Sequence, residues 1–285
     1  MFTIGALKND AKQSLRKNLK YPVLITLISL GIAMLLNGPE FFDNAKTVPN
    51  FFKSLTLNDF DFFYADHLGF TKTRSLLLGF LTILVNAALQ IGVCKFYLAF
   101  VLNPDQTNFN DFLEGLTLWH RGLLGSLWKM LFLFLWGMLA ALSVSFLIVI
   151  GIIVFAVFGV LSFSLPAFDV ASYPALAAVF GAMIVAVGVF WINRYIAYSQ
   201  MLFILAESPG MTVQKAMRAS IAMTRGFRLN IFLLYASFLP WILLCVCTFG
   251  IALLYVQPYM HATGTNTFKF LKANALNSGI FVKRT

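Results

Sequence analysis

The sequence is poor in charged residues and in cysteine, and its acidic residues are outnumbered by basic ones. Charged residues make up 11% of the 285 positions, whereas soluble domains carry about a quarter. The three cysteines, Cys94, Cys245 and Cys247, all lie in apolar sequence and form no C-x-x-C pair, so they indicate buried thiols, not a metal site or a disulfide framework. These scarcities exclude an ordinary soluble domain and a disulfide-stabilised secreted fold.

Motifs that would place a nucleophile, a phosphate or a catalytic metal are also missing. His67, His120 and His261 are far apart, and the sequence has no H-E-x-x-H, G-x-S-x-G or G-x-x-x-x-G-K-[ST] pattern. Because an enzyme needs such groups placed together, we predict a non-enzymatic protein with no cofactor and no metal. The net charge of +10 is explained by basic flanks of apolar runs, so no nucleic-acid partner is expected.

Long apolar runs are what the sequence has in abundance. Hydrophobic residues make up 60% of the chain, and 31 of them are Phe. A membrane-spanning helix needs about 20 apolar residues, and several runs reach or exceed that length. The predicted spans are Tyr21–Leu36, Ser75–Val101, one within Gly125–Leu165, Ala178–Glu207, and one or two within Phe227–Tyr259. The third is either one long kinked helix or a span followed by a second membrane-embedded piece. We therefore predict an all-α, polytopic helical membrane protein with five to six transmembrane segments, interfacial amphipathic helices and a single membrane domain over residues 21–260.

Two basic amphipathic segments border these spans. Residues 1–20 place apolar side chains three and four apart, as in a helix on a membrane surface, and residues 207–228 form a basic elbow between two spans. Their cations predict contacts with anionic lipid headgroups at Lys8, Lys12, Arg16, Lys215, Arg218, Arg225 and Arg228. An equally good explanation is that the same charges only fix orientation in the membrane.

The positive-inside rule predicts a multi-pass protein of the cell membrane with a cytoplasmic N-terminus. The elbow at 207–228 is then cytoplasmic, and the acidic segment 37–74 is extracytoplasmic. The basic tail at 261–285 poses a conflict, since a single crossing before it would export its uncompensated bases. A broken hairpin that turns near Cys247 to Gly250 would keep them inside.

Polar side chains within the apolar runs form a candidate intramembrane site. Asn86 and Gln90 share a helix face, as do Arg194 and Tyr198, because each pair is four residues apart. Hydrogen bonds between helices would explain these groups, and so would contacts with a transported substrate. A second packing signal is the small-xxx-small spacing of Ala178, Ala182 and Ala186.

Three patterns near the end of the chain resemble a known family. They are Y-S-x(7)-E-x-P at Tyr198–Pro209, S-x-x-M-x-R-G-x-R at Ser220–Arg228, and S-F-x-x-W with T-x-G-I and P-Y at Ser237–Tyr259. Their order and spacing resemble the bacterial membrane proteins called "domain of unknown function 975". The likeness is close over roughly the last third and rests on hydropathy elsewhere. The family is distantly similar to the membrane domains of glycerophosphodiester phosphodiesterases, which implies a helical, lipid-facing accessory domain without catalytic residues.

Two functions fit these features. The first is a non-enzymatic membrane protein that binds anionic lipid, a membrane-protein partner or a second copy of itself through a basic cytoplasmic face. The second is a small-molecule or lipid transporter, or a permeability factor, with a polar path near Arg194. A polar cavity at Arg194 would favour transport, and dry packing there with exposed Lys215, Arg218 and Arg225 would favour binding.

Overall fold

A computed structural model describes residues 2–44, 76–164 and 172–278. Every regular element in these ranges is helical. The helices are α1 Ile4–Lys17, α2 Lys20–Asn44, α3 Leu76–Leu102, α4 Phe109–Thr117, α5 Trp119–Ser164, α6 Ser172–Tyr198, α7 Met201–Glu207, α8 Val213–Thr224, α9 Arg228–Ala236, α10 Leu239–Cys247 and α11 Leu253–Asn277. The predicted all-α class is therefore confirmed for the described residues.

Four helical stretches in the described ranges are long and apolar enough to cross a membrane. They are Leu81–Leu102, Trp119–Val154, Ala178–Glu207 and Arg228–Cys247. A fifth would be added if α1 and the first part of α2, which meet at an angle of 97°, formed one broken span. Where five to six segments were expected, the described residues thus contain four or five apolar candidates, and Tyr21–Leu36 counts only as part of the bent pair.

The fold separates into two compact units. The packed unit comprises Met1–Trp128 and Ser199–Thr285, and the hairpin unit comprises Lys129–Tyr198. Helix α5 contributes to both, because it runs without a break from Trp119 to Ser164. The long apolar segment 125–165 is therefore one helix over its described length, and the glycines considered as break points, Gly137, Gly151 and Gly159, lie inside it.

Helix α11 forms the centre of the packed unit. Helices α1, α2, α3, α8 and α10 all pack on it, and an unbroken series of its residues from Ala262 to Phe268 is buried. Its buried threonine hydroxyls form hydrogen bonds within the helix. Thr263, Thr265 and Thr267 donate to the carbonyls four residues earlier at 2.7, 2.9 and 2.9 Å. This removes the cost of burying a hydroxyl.

Helix α11 runs back along α9 and α10, so that the three helices form a hairpin. Ring centroids of Phe227 and Phe270 lie 5.6 Å apart, and those of Phe238 and Tyr259 lie 5.2 Å apart, so residue numbers rise along one arm as they fall along the other. The chain reverses at residues 248–252, where Gly250 has φ +86°, a conformation that glycine adopts without strain. The chain thus turns where the hairpin alternative placed the turn, but the second arm is the 25-residue helix α11, which extends well beyond Tyr259.

The hairpin unit consists of α5 from Lys129 onward and α6. Trp136 Nε1 donates to Tyr198 Oη at 2.9 Å, while a Cβ added to Gly151 would lie 3.8 Å from the Phe180 ring, so the two helices run antiparallel.

One stripe of α6 has the spacing of four and three residues that is typical of a coiled-coil seam. Its members are Phe180, Ile184, Val187, Trp191, Arg194 and Tyr198. Ile184 is 40% exposed, and the other five side chains are half-buried or buried. This stripe is therefore the side of α6 that packs within the hairpin.

The structure sets two boundaries differently from the prediction. The segment expected to be an extracytoplasmic loop at 37–74 begins inside α2, which continues to Asn44, and residues 45–75 lie outside the described part of the chain. The segment 261–285, expected to be a basic tail, is helix α11 as far as Asn277. The polar composition of this segment suggested an exposed tail. The segment is instead a buried helix, which is possible because its threonine hydroxyls donate to the backbone of the same helix.

Candidate functional site

Helix α8 presents a basic surface on the packed unit. Lys215, Arg218 and Arg225, three of the residues expected to meet lipid headgroups, are exposed. The opposite face of the helix, with Ala216, Met217, Ser220, Met223 and Thr224, is buried, and α8 packs on α7 and α11. The sequence 208–228 contains no acidic residue, so this surface is positively charged and held in place by its apolar side.

The turn that leads into α8 is fixed by an arginine from the start of α5. Arg121 donates from Nη1 to the Ser208 carbonyl at 3.1 Å and from Nη2 to the Met211 carbonyl. Glu207, just before the turn, pairs with Lys272 of α11 at 2.7 Å between Nζ and Oε1. The start of the elbow is therefore held by contacts with α5 and α11, and Glu207, the one acidic residue of the elbow sequence, is already paired.

The predicted lipid contacts of α1 have a different environment. Lys8 donates from Nζ to the Ser237 carbonyl at 3.1 Å and lies 4.1 Å from the centroid of the Phe238 ring. Lys12 lies 5.6 Å from the centroid of the Tyr259 ring. Burial, and to a lesser extent the charge of Lys12, lowers the pKa of Lys8. The structure thus places Lys8 and Lys12 against the protein, whereas Arg16 is exposed.

Three phenylalanines bring the basic segments to one end of the packed unit. Phe2 lies 6.0 Å from Phe227 and 5.3 Å from Phe270, measured between ring centroids, and Phe227 lies 5.6 Å from Phe270. Phe227 sits between Arg225 and the half-buried Arg228. The N-terminus, the end of the elbow and the last part of α11 therefore meet, which the sequence alone did not reveal.

The predicted intramembrane polar residues divide between the two units. Asn86 and Gln90 are half-buried in α3 of the packed unit, and Arg194 and Tyr198 belong to α6 of the hairpin unit. Trp136 joins the second pair, because its Nε1 donates to Tyr198 and its ring lies 4.4 Å from Arg194 Cζ. The ring of Phe190, in α6, lies 4.9 Å from the same atom. Arg194 is therefore flanked by two aromatic rings.

Further along the hairpin, an open apolar cavity of about 370 Å³ lies between the two helices. It is lined by Leu147, Ile148, Gly151, Ile152, Phe180 and Ile184. A polar solute would find no hydrogen-bonding side chain in this lining, whereas a hydrocarbon chain would be accommodated.

Sequence reasoning missed three contacts that shape these surfaces: Arg121 with the elbow, Glu207 with Lys272, and Trp136 with Arg194. The signal for the Glu207 pair was present, since Glu207 is the last acidic residue of the sequence and is followed only by basic charges with which it can pair. Nothing in the local pattern identified Lys272 as that partner, because 65 residues separate the two positions along the chain.

No group of three or more His, Cys, Asp or Glu side chains able to hold a metal occurs among the described residues. In the comparison with protein families, residues 1–275 match the family described as "Protein of unknown function (DUF975)". No curated protein and no solved structure gave a significant match. Since the family profile spans nearly all of the 285 residues, the chain belongs to the DUF975 family of proteins of unknown function.

Proposed function

We propose that this protein is a non-enzymatic, multi-pass protein of the cell membrane that binds anionic lipid through the basic surface of α8. The observation that carries the proposal is the exposure of Lys215, Arg218 and Arg225 on a segment without acidic residues. Exposed cations near a bilayer attract anionic headgroups, at about 1 kcal/mol for each Lys or Arg.

The apolar surface that the helices expose supports embedding in a membrane. In the apolar windows of Trp119–Val154 and Ala178–Glu207, only 6% of residues are buried. Leu142, Phe146 and Val185, for example, are 64%, 66% and 65% exposed. Apolar surface on this scale is unfavourable in water and favourable in lipid.

The reversal of the chain between α10 and α11 supports a cytoplasmic position for the end of the packed unit where the basic segments meet. Because α11 returns to the end where Phe2 and Phe227 lie, its Lys269 and Lys272 join the elbow on one side. The arrangement satisfies the positive-inside rule without exporting those bases, and it supports an N-terminus in the cytoplasm.

Transport through a polar path near Arg194 is the weaker candidate. The guanidinium packs on the rings of Trp136 and Phe190, and the cavity on the same hairpin is apolar. These are the features of dry packing, which favours binding over conduction. The distant similarity to glycerophosphodiester phosphodiesterase membrane domains is retained as part of the proposal, since such accessory domains would also face lipid.

A membrane-protein partner or a second copy of the chain is a further element of the proposal. The small residues Ala178, Ala182 and Ala186 are exposed on α6, so the close helix packing that their spacing predicts would have to come from another molecule.

The test replaces Lys215, Arg218 and Arg225 together by Gln. Removing three cations near the surface should cost about 3 kcal/mol of lipid affinity, or roughly a hundredfold. Retention of phosphatidylglycerol against phosphatidylcholine, measured by native mass spectrometry of the detergent-solubilised protein, reports the loss. Added salt should weaken retention by the wild type more than by the variant.

A matched control removes three cations from the predicted opposite side, Lys46, Lys53 and Lys72, also by Gln. This control has the same change in net charge and should retain phosphatidylglycerol like the wild type. Equal retention by all three proteins, or an equal loss in both variants, would show that the α8 surface has no specific part in binding.

A further inference from the structure

We infer that the hairpin unit holds a single phospholipid, with its phosphate at Arg194 and one acyl chain in the apolar cavity between α5 and α6. This inference rests on the proposed membrane location of the hairpin, and it concerns a site separate from the basic surface of α8.

Among the described residues of its unit, Arg194 has no acidic counterpart. The described residues of Lys129–Tyr198 include no Asp or Glu, and no carboxylate or hydrogen-bond acceptor among the described residues pairs with this guanidinium. Ring faces at 4.4 and 4.9 Å hold it through cation–π contacts. Such contacts leave the five N–H donors of a guanidinium available for a phosphate.

A second cation lies at the same end of the hairpin. Lys129 is 7% exposed, and its Nζ lies 5.4 Å from the centroid of the Tyr195 ring, one residue beyond Arg194. Tryptophan and tyrosine side chains accumulate where a bilayer meets water, and this end contains Trp136, Trp191, Tyr195 and Tyr198. The end of the hairpin therefore matches the depth at which phospholipid phosphates lie.

The cavity lies along the same seam. Phe180 and Ile184, which line it, belong to the stripe of α6 that continues through Val187 and Trp191 to Arg194. Ten residues of helix separate Ile184 from Arg194, a distance of about 15 Å. One leaflet of the hydrocarbon core has a thickness of about 15 Å, so an acyl chain attached to a phosphate at Arg194 reaches the cavity.

Gly151 keeps the cavity open. The nearest atoms that a Cβ at this position would meet are those of the Phe180 ring, at 3.8 Å. Alanine would fit in ordinary contact, whereas a leucine side chain would extend into the space between Leu147 and Ile184. The site therefore offers two independent changes, one to the phosphate end and one to the acyl-chain end.

The experiment uses phosphatidylglycerol that carries a photoactivatable diazirine near the end of one acyl chain, added in substoichiometric amount to the full-length protein in detergent. Labelled residues are located by peptide mass spectrometry. We expect labelling to concentrate on peptides that contain Gly151 and Ile184. Arg194→Gln should reduce it roughly tenfold or more, because a charge-assisted phosphate contact is lost, and Arg194→Lys should retain most of it.

Gly151→Leu should remove the label from the cavity in a protein whose Arg194 is intact, which keeps the test decisive if Arg194→Gln fails to fold. Soluble glycerol phosphate in excess should not displace the lipid. Displacement by it would identify a phosphate site without an acyl-chain site, and label spread evenly along α5 and α6 would identify bulk lipid. Either result would overturn the inference.

The variant with Gln at positions 215, 218 and 225 separates this inference from the proposed function. It should lose lipid retention at α8 while labelling of the cavity stays at the wild-type level. If cavity labelling is unaffected by both Arg194→Gln and Gly151→Leu while the α8 variant still loses retention, the hairpin site is wrong and the α8 surface stands.

Discussion

Lys8 and Arg194 show how aromatic rings accommodate cations in a protein with few carboxylates. Lys8 lies 4.1 Å from the Phe238 ring centroid and Arg194 lies 4.4 Å from that of Trp136. Attraction between a cation and a ring face contributes about 0.5–2 kcal/mol, more where water is excluded. With 11 acidic residues against 21 basic ones, ring faces provide part of the compensation that carboxylates would otherwise provide.

The placement of Lys8 predicts a structural role, not a lipid contact. Lys8→Met should change the free energy of unfolding by only about 1 kcal/mol, since the lost hydrogen bond is offset by easier burial. Lys8→Glu should destabilise by on the order of 2 kcal/mol, because a carboxylate would face the Ser237 carbonyl. Thermal unfolding in detergent measures both.

Retention of phosphatidylglycerol provides the complementary measurement on the same proteins. Lys8→Met should retain the lipid at the wild-type level, because the Lys8 ammonium of the wild type contacts the protein and not the lipid. A loss as large as that of the α8 variant would contradict this placement and restore Lys8 as a headgroup contact.

At the scale of elements, a glycine in each helix lets α3 and α4 cross closely. A Cβ on Gly115 would lie 2.6 Å from the Gly92 Cα and 2.8 Å from the Lys95 Cβ, both too short for a real contact. Phe112, buried one turn before Gly115, packs beside the same crossing. Gly115 therefore lets α4 approach α3 closely, and Phe112 on the same side of α4 packs within the protein.

This crossing predicts that Gly115→Val destabilises the protein by about 1–3 kcal/mol, since overpacking forces the helices apart. The matched control is Gly31→Ala in α2, where an added Cβ has no atom within 4 Å and where alanine favours the helix by up to about 1 kcal/mol. Thermal unfolding of both variants in one detergent compares them. A Gly115→Val protein as stable as the wild type would show that α4 does not approach α3 this closely.

At the scale of the whole molecule, the sequence predicted what composition and periodicity determine. The apolar stretches became helices, and Leu7, Ala11 and Leu15 of the N-terminal stripe are buried, as a three- and four-residue spacing implies. The cations Lys215, Arg218 and Arg225 are exposed. Helix formation, burial and exposure at these positions depend on neighbours within a few turns of one helix, so the local sequence pattern is enough to predict them.

The central position of α11 could not be predicted in the same way. A helix that other helices surround on several sides does not need the hydropathy of a lipid-facing span, so its polar threonines give it the composition of a tail. A stripe such as that of α1 shows which side is buried, but not that α11 is the surface that covers it. Long-range partners such as Glu207 and Lys272 are equally hidden from periodicity.

The central claim is that the basic segments meet at one end of the packed unit and face the cytoplasm. It is tested by single cysteines at Gln214, Asn277 and Ile251, three exposed positions, in a protein whose three native cysteines are replaced by Ala. A membrane-impermeant maleimide is applied to right-side-out vesicles before and after permeabilisation.

We predict that the cysteines at 214 and 277 react only after permeabilisation. The cysteine at 251 should react before it, because the 20 residues of Arg228–Cys247 span about 30 Å, the thickness of the hydrocarbon core. Reaction at 214 and 277 from opposite sides would contradict the shared basic end, and reaction at 251 from the same side as 214 would contradict the crossing.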